Sequence, residues 1–295
     1  MNNLVQKDPA AGPPASWPLP RLELPWGQRT LIMGVVNVTP DSFSDGGRFF
    51  ETETAIRQGL KLLAQGADVL DIGGESTRPG SEPVAAEEEL GRVLPVIQGI
   101  LAEAPQAVIS IDTYRARVAV EAIRAGAQIV NDVTALRGDP GMAALAASSG
   151  VGLVLMHMQG QPKTMQVSPA YDDVVAEVGD FLQAQAQEAQ AAGVARERIV
   201  IDPGIGFGKT LSHNLALIRG LAELGQRGYP VLLGASRKAM LGYITGKATE
   251  ERLWATIGVH VAGALLGADM VRVHEVEPVR DAILVADAVL RGGDA

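Results

Sequence analysis

The chain has 295 residues, a formal net charge of -9, a hydrophobic content of 47% and a charged content of 20%. This composition is typical of a globular protein with a large core, and an acidic balance without a basic run argues against nucleic acid as a principal partner. The absence of cysteine excludes a disulfide framework, a thiol nucleophile and a thiolate metal site.

No segment has the uninterrupted apolar length of a membrane span, and the N-terminus lacks the charged-then-apolar pattern of a secretory signal. We therefore expect a cytoplasmic protein without a membrane partner. Residues 1–20 are rich in proline, alanine and glycine and have no hydrophobic period. They predict a flexible, disordered tail, followed by a single domain over residues 21–295. Residues 21–27 are expected to form a short strand or hairpin that closes one end of this domain.

From residue 30 onward, short apolar runs alternate with helical patterns. Strands are predicted at residues 31–36, 68–72, 108–111, 128–130, 152–156, 199–201, 231–233 and 270–273. Helices are predicted at residues 54–64, 87–101, 115–125, 172–191, 214–224, 252–266 and 279–290.

Each predicted strand is apolar on both faces, which indicates parallel pairing with right-handed crossovers. Eight such units in a chain of this length predict the α/β class and a closed (β/α)8 barrel of the TIM type. An open doubly wound sheet is the alternative. It would concentrate its polar loops at one switch point, whereas here nearly every strand is followed by a polar loop.

Polar residues follow the predicted strands at their carboxyl ends, and a barrel would gather all of them around one mouth, where barrel enzymes place their chemistry. Any one of them could instead cap a helix: Asp112 for the helix near Tyr114, or Ser236 for the helix near Lys238. That explanation does not extend to the whole set. In chain order the set is Asn37, Asp71, Asp112, Asn131, Asp132, His157, Asp202, Ser236, Lys238, Arg272 and His274.

The residue types favour a flat heterocycle that carries several N–H donors. Asp112, Asn131 and Asp202 offer acceptor oxygens, and Lys238 can donate to a ring carbonyl or imine. The glycines of residues 204–208 are expected to let the backbone approach such a ring, with Phe207 as its packing wall. This glycine run superficially resembles a phosphate-binding loop, but no dinucleotide fingerprint opens the first unit, so the run alone is a weak signal for phosphate.

We expect the ligand to carry a phosphate-bearing arm, which would lie at the rim of the barrel mouth. Arg272 and His274 follow the eighth strand, close to where barrel enzymes commonly hold phosphate. Asn37 can give one carbonyl oxygen to a hard cation, which suits Mg²⁺ when phosphate oxygens and waters complete its coordination.

Four further features favour structural roles. Residues 87–89 form an acidic helix start, which dipole compensation explains. His213 is expected at the start of a helix, and His260 to be a hydrogen-bonded core residue. For His157, support of the site is the preferred interpretation.

Several runs, in this order along residues 30–290, resemble the dihydropteroate synthases. They are Asn37-Val38-Thr39-Pro40-Asp41-Ser42-Phe43-Ser44-Asp45-Gly46-Gly47, Gly73-Gly74-Glu75-Ser76-Thr77-Arg78-Pro79-Gly80, Ser110-Ile111-Asp112-Thr113, Asn131-Asp132-Val133, Met156-His157-Met158-Gln159-Gly160, Asp202-Pro203-Gly204-Ile205-Gly206-Phe207-Gly208-Lys209, Ser236-Arg237-Lys238 and Arg272-Val273-His274. The first two runs together are highly specific. Glu275 departs from the pattern, since family members often carry Asp there, and we expect this to affect the cap of the last helix.

The resemblance implies a folate-synthesis transferase and sulfonamide target that joins 6-hydroxymethyl-7,8-dihydropterin pyrophosphate to p-aminobenzoate. It implies pterin binding by Asp112, Asn131, Met156, Asp202, Phe207, Gly234 and Lys238. It implies pyrophosphate binding by Asn37, Thr77, Arg272 and His274, with Mg²⁺ on Asn37. It implies p-aminobenzoate binding by Phe43, Asp45, Thr77, Arg78, Pro79, Phe207 and Ser236. The residues expected to be catalytic are Asn37, Asp112, Lys238, Arg272 and His274.

Two other functions remain open. A methyltransferase that moves a methyl group from methyltetrahydrofolate to a corrinoid could share the pterin-binding ring, but it has no use for the p-aminobenzoate loops. A catalytically silent relative, kept as a binding or scaffold subunit, would have no reason to retain the charges in the barrel mouth.

Residues 253–266 are apolar or small on almost every face, unlike the amphipathic outer helix that a barrel requires. A second burying surface would explain this composition. We therefore predict a homodimer formed through this helix, which the resemblance also implies.

Overall fold

The computed structural model describes residues 14–39, 47–76, 81–160 and 163–292. Five predicted p-aminobenzoate residues lie outside these ranges, and so does most of the predicted tail. The five are Phe43, Asp45, Thr77, Arg78 and Pro79.

Ten strands are present in the described residues, in two sheets. They are β1 (Ser16–Pro18), β2 (Glu23–Pro25), β3 (Leu31–Asn37), β4 (Val69–Gly73), β5 (Ile109–Asp112), β6 (Ile129–Asp132), β7 (Gly152–Met156), β8 (Ile199–Asp202), β9 (Leu232–Leu233) and β10 (Met270–Val273). β3 to β10 form one parallel sheet in the order β8-β7-β6-β5-β4-β3-β10-β9. A bridge between Ile201 and Val231 joins its two ends. The strands follow chain order around the ring, which confirms the (β/α)8 barrel and is incompatible with an open doubly wound sheet.

The helices lie between the barrel strands, and none of those described is long and apolar enough to cross a membrane. They are α1 (Gly47–Ala64), α2 (Ala86–Glu103), α3 (Ala116–Arg124), α4 (Met142–Ser149), α5 (Val174–Ala191), α6 (Leu211–Arg219), α7 (Leu221–Gly225), α8 (Ala239–Thr245), α9 (Leu253–Leu265) and α10 (Val276–Arg291).

The helix predicted over residues 214–224 is two short helices, α6 and α7, which meet at Gly220. The backbone of Gly220 packs against α5, where a Cβ would lie 2.7 Å from Val175 Cγ1. The sequence analysis did not predict α4 and α8. α4 buries only Met142 and Ala146, and α8 has seven residues before it ends at Gly246, so neither gives a strong amphipathic pattern.

Strand alternation divides the core into two regions. Side chains such as Ile32, Leu70 and Ile72 point outward and pack under the helices. Their neighbours Leu31 and Val69 belong to a separate cluster that also contains residues from the other barrel strands.

The first two strands fill the amino-terminal end of the barrel. β1 and β2 pair antiparallel, with Trp17 opposite Leu24. Trp17 is fully buried in the cluster of Leu31 and Val69, stacks on Trp26 with 5.4 Å between ring centroids, and donates its indole N–H to Arg198 O at 2.9 Å. The predicted boundary at residue 20 is therefore wrong, because residues 16–19 already belong to the packed domain. The closing hairpin is present, but it begins before residue 21.

Candidate active site

The carboxyl ends of the strands bring most of the predicted site residues to one end of the barrel. Asn37, Gly73, Asp112 and Asn131 are register partners in sequence across β3, β4, β5 and β6. Met156 and Asp202 are partners on β7 and β8. Parallel pairing alone therefore aligns these side chains, since strand ends in a parallel barrel point the same way.

Arg272 connects two carboxylates inside this mouth. Its Nε donates to Asp71 Oδ2 at 2.6 Å, and its Nη2 donates to Asp112 Oδ2 at 2.8 Å. Burial by itself would lower the pKa of Arg272, but Asp71 and Asp112 outweigh burial and raise it. A permanently charged guanidinium thus lies among the acceptor oxygens.

Asp71 is a site residue to which the sequence analysis gave no role. Its side chain is fully buried, and its Oδ2 also accepts a hydrogen bond from Asn131 Nδ2 at 3.0 Å. A charged residue within the apolar run 68–72 was the available signal, because carboxylates are rarely buried without a partner.

Asp112 and Asp202 both hold protons more tightly than ordinary carboxylates. The pKa of Asp112 is raised to about 7, first by burial and then by the neighbouring Asp71, while Arg272 opposes the rise. Burial raises the pKa of Asp202 to about 6, against the hydrogen bond that its Oδ1 accepts from Gly204 N at 2.7 Å. Asp112 does not cap α3, since Ala116 N donates to Asp139 instead.

Lys238 and Phe207 lie together beside these carboxylates. The Lys238 ammonium is 4.0 Å from the centroid of the Phe207 ring, and both Asp112 and Asp202 are affected by its charge. Phe207 packs in a small apolar cluster with Met156, which supports their predicted places as walls. A Cβ on Gly234 would lie 3.6 Å from Asp202 Oδ2 and 3.9 Å from Arg272 Cβ, so bare backbone separates these two side chains.

Ser236 and His274 form a polar pair at the rim. Ser236 Oγ lies 2.9 Å from His274 Nδ1 and accepts from His274 N at 3.3 Å. Ser236 does not cap α8, whose N-cap residue is Lys238. Glu275 occupies the N-cap position of α10 but makes no side-chain capping bond and pairs with Arg237 instead. The departure from Asp thus lies at the cap of the last helix, where its effect was expected.

Protein packing requires two glycines of the 204–208 run. A Cβ on Gly204 would lie 1.9 Å from His157 O, and one on Gly208 would lie 2.6 Å from Gln159 O. Both have positive φ, at 66° and 65°. Gly204 and Gly206 each face a predicted ring-binding residue, with 3.3 Å from the Gly204 Cβ position to Met156 Cγ and 3.3 Å from the Gly206 Cβ position to Lys238 Cδ.

Lys209 joins the same loop to His157 through hydrogen bonds. Its buried ammonium donates to His157 Nδ1 at 2.9 Å and to Phe207 O at 2.9 Å. Burial lowers the pKa of Lys209 to about 7. Burial, and then the charge of Lys209, lower the pKa of His157 to about 3. The His157 imidazole is therefore a neutral acceptor. This agrees with a supporting role for His157. His213 and His260 are also structural, in a capping box with Thr210 and in a 2.7 Å contact with Thr256 O.

An ion-pair network lies at the base of the loop between β4 and α2. Arg115 pairs with Glu75 at 2.6 Å and with Glu89, and its Nη2 donates to Val84 O at 2.8 Å. Val84 N donates to Glu75 at 3.2 Å. Residues 87–89 lie in the first turn of α2, as predicted, and Glu89 is in addition buried and joins this network.

The described residues contain no group of three or more His, Cys, Asp or Glu side chains that could hold a metal ion. Asn37 ends β3 at the mouth and offers one neutral oxygen. This donor set fits a cation whose other ligands come from a phosphate and water, and does not provide a complete protein cage.

Comparisons with known proteins agree with this arrangement. The pterin binding enzyme family matches residues 33–274. The dihydropteroate synthase of Synechocystis sp. is 44% identical over 279 residues, which cover 94% of this chain and 96% of that protein. The one from Escherichia coli K12 is 44% identical over 259 residues, covering 88% and 91%.

Solved structures give the same result. Xanthomonas albilineans dihydropteroate synthase with 4-aminobenzoic acid has a TM-score of 0.85 and 46% identity, covering 90% of this chain and 95% of that one. Burkholderia cenocepacia dihydropteroate synthase complexed with 7,8-dihydropteroate has a TM-score of 0.84 and 43% identity, covering 95% and 98%. The chain belongs to the dihydropteroate synthase family of pterin-binding enzymes.

Proposed function

We propose that this protein condenses 6-hydroxymethyl-7,8-dihydropterin pyrophosphate with p-aminobenzoate to give 7,8-dihydropteroate and pyrophosphate, a step of folate biosynthesis. The observation that carries the proposal is the buried cluster in which Arg272 joins Asp71 and Asp112. It combines acceptors for a donor-rich ring with a cation for a phosphate, in a chain whose relatives bind 4-aminobenzoic acid and 7,8-dihydropteroate.

The pterin would lie against the acceptor oxygens of Asp112, Asn131 and Asp202. These carboxylates and the amide suit its ring N–H and amino donors. Lys238 would donate to the ring carbonyl, and Met156, Phe207 and Gly234 would supply the flat walls.

The pyrophosphate would extend toward Asn37, Arg272 and His274. Mg²⁺, held through the Asn37 side-chain oxygen and the pyrophosphate itself, would add positive charge that favours the leaving group. Arg272 and His274 stabilise the negative charge that develops as the pyrophosphate departs. p-Aminobenzoate would bind at Ser236, with contributions from Phe43, Asp45, Thr77, Arg78 and Pro79, which lie outside the described residues.

The buried carboxylates favour a dissociative substitution. Loss of pyrophosphate leaves a cationic methylene conjugated with the pterin, and the negative charges of Asp112 and Asp202 stabilise that cation. The aromatic amine is neutral at pH 7 and attacks without prior deprotonation, so positioning supplies much of the rate. Exchange of isotope between bridging and non-bridging pyrophosphate oxygens, without p-aminobenzoate, tests this order; its absence would contradict it.

The direct test of function is pyrophosphate release with both substrates and Mg²⁺. We expect release that requires p-aminobenzoate and the pterin pyrophosphate together. Methyl transfer from methyltetrahydrofolate to a corrinoid, with no pyrophosphate release, would favour the alternative methyltransferase. Pterin binding without either reaction would favour a silent relative.

We also propose that the protein is a homodimer. Trp254 of α9 is 77% exposed, and Val285 and Val289 of the neighbouring α10 are 65% and 76% exposed. Exposed apolar side chains on two adjacent helices are typical of a protein–protein interface.

A further inference from the structure

We propose that Asp71 is a positioning residue, which fixes the direction of the Asn131 side-chain amide and thereby makes the pterin slot selective for hydrogen-bond donors. The proposal rests on the proposed function, because it concerns how that site recognises its pterin. It adds a determinant of specificity that does not itself contact the ring.

The geometry places Asp71 behind the residues that face the slot. Asp71 is fully buried in β4, and one of its oxygens, Oδ2, accepts from both Asn131 Nδ2 and Arg272 Nε, at 3.0 and 2.6 Å. Asn131 is itself buried and is the register partner of Asp112 on the adjacent strand.

The chemistry of a carboxylate then determines the amide direction. An ionised carboxylate accepts hydrogen bonds and cannot donate them, and Asp71 Oδ2 accepts from the guanidinium of Arg272 at 2.6 Å. Asn131 must therefore present its NH2 group to Asp71, which turns its oxygen away from Asp71. Rotating the amide by half a turn would place its oxygen against the carboxylate and lose a charge-assisted hydrogen bond. Such a loss disfavours the rotated form by roughly 10- to 150-fold.

The consequence is a slot lined by acceptors. With its amide fixed, Asn131 offers an oxygen beside Asp112 and cannot easily exchange it for a donor. A pterin edge, which carries N3–H and a 2-amino group, satisfies such oxygens. A ring with an acceptor at the same place leaves two acceptors facing each other, which is costly in a buried site.

The test measures dissociation constants of three rings without pyrophosphate, so that the phosphate contacts of Arg272 do not enter. They are 6-hydroxymethylpterin, its lumazine analogue with oxygen in place of the 2-amino group, and its 2,4-diamino analogue with an unprotonated N3. Discrimination is the ratio of an analogue's dissociation constant to that of 6-hydroxymethylpterin. The analogue whose ratio falls in Asn131→Ala is the one against which Asn131 discriminates. In Asp71→Asn, whose amide can either donate or accept, we expect the same discrimination to fall at least fivefold.

The double variant distinguishes positioning from general disruption. In the Asn131→Ala background, Asp71→Asn should change the discrimination by less than twofold, since no amide remains to be directed. Equal loss of affinity for all three rings in Asp71→Asn, with the preference unchanged, would overturn the proposal. So would an effect of Asp71→Asn that persists in full without Asn131.

Asp68→Asn is the matched control. Asp68 is another largely buried carboxylate paired with an arginine, Arg29, and it accepts from Ile32 N at 2.8 Å. It lies before β4, at the end opposite the mouth, so its substitution should lower stability and leave the ring preference unchanged.

A measurement on the wild-type protein does not depend on any variant folding with full stability. In protein with ¹⁵N-labelled asparagine, the Asn131 side-chain NH2 signals, assigned by their absence in Asn131→Ala, should exchange slowly with water before pterin is added. They should shift only slightly when 6-hydroxymethylpterin binds, because they face Asp71. Fast exchange, or a large shift as these protons turn to the ring, would overturn the proposal. If turnover fails but the preference depends on Asp71, only the proposed function is wrong.

Discussion

Individual residues of the site have to satisfy opposing requirements of burial and charge. Asp71, Asp112 and Asp202 are held in an apolar barrel with Arg272 and Lys238 as nearby cations. Because burial penalises the charged form of a carboxylate, ligand N–H groups that approach these oxygens replace lost hydration. The same burial therefore favours binding of ring N–H groups by these oxygens and raises the pKa values of Asp112 and Asp202.

The raised pKa values predict a pH dependence for pterin binding. Asp112 and Asp202 accept N–H donors when ionised, and their pKa values are about 7 and about 6. As pH falls through 7 and then 6, protonation removes acceptor capacity, so affinity is lost on the acid side. We expect the dissociation constant of 6-hydroxymethylpterin to rise about tenfold per pH unit for each group that protonates.

Calorimetric titration between pH 5 and 8 checks this expectation, and the ring without pyrophosphate avoids the titration of phosphate itself. Affinity that is constant from pH 5 to pH 8 would contradict the assignment of ionised carboxylates to the ring.

Lys209 predicts a different pH effect, on stability. Its pKa is lowered to about 7 in the folded protein, from an ordinary value of 10.5. Between these values the unfolded chain binds more protons than the folded one, so this group makes the free energy of unfolding rise with pH. Its slope is at most about 1.4 kcal/mol per pH unit.

The variant that removes this slope is Lys209→Met. Denaturant unfolding at pH 7, 8 and 9 should show a smaller rise for the variant than for the wild type. Lys247→Met is the control, because this residue is exposed. An unchanged slope in Lys209→Met would show that another group titrates.

At the scale of elements, the amino-terminal hairpin is predicted to be essential to the barrel. Trp17→Ala removes a fully buried ring that stacks on Trp26 and donates to Arg198 O. Deleting a buried tryptophan costs about 3–5 kcal/mol in the free energy of unfolding. Urea denaturation measures this loss. Glu23→Ala, on the exposed face of the same hairpin, should stay within about 0.5 kcal/mol, and a similarly small effect of Trp17→Ala would contradict the packed hairpin.

The same element shows why part of the fold was hidden in the sequence. The bounds of β7 and β10 agree with prediction, because buried parallel strands are continuous apolar runs. β2 lies within the strand or hairpin predicted over residues 21–27, but β1 has three residues and ends in proline, so its pattern looks like part of the irregular tail. The break at Gly220 depends on contact with α5, which no local pattern records.

The site was predictable to a similar degree. Residues at the strand ends, such as Asp112, Asn131 and Asp202, follow from the barrel and lie together as expected. The roles of Asp71 and Glu89 did not follow, because each depends on an arginine distant in sequence. Local periodicity gives the side of an element that is buried, but not the partner that meets it there.

At the scale of the whole molecule, the exposed apolar surface of α9 and α10 predicts a dimer in solution. Light scattering at micromolar concentration should give twice the chain mass of 30.9 kDa. Trp254→Glu places a charge in the proposed interface and should weaken association at least tenfold. Val167→Glu, at an exposed valine outside these helices, should leave the mass unchanged. A monomeric wild-type mass would refute the dimer.

The closure of the barrel has a consequence for ligands of unusual width. β8 and β9 meet through the single Ile201–Val231 bridge and a 3.0 Å bond from Ile201 N to Pro230 O, whereas other neighbouring barrel strands share at least two register pairs. This line of weak pairing runs along the barrel, and Asp202 and Gly234 flank it at the mouth. A ring broader than a pterin should gain room by separating these two strands before any others. An inhibitor should therefore be extended toward the junction of β8 and β9.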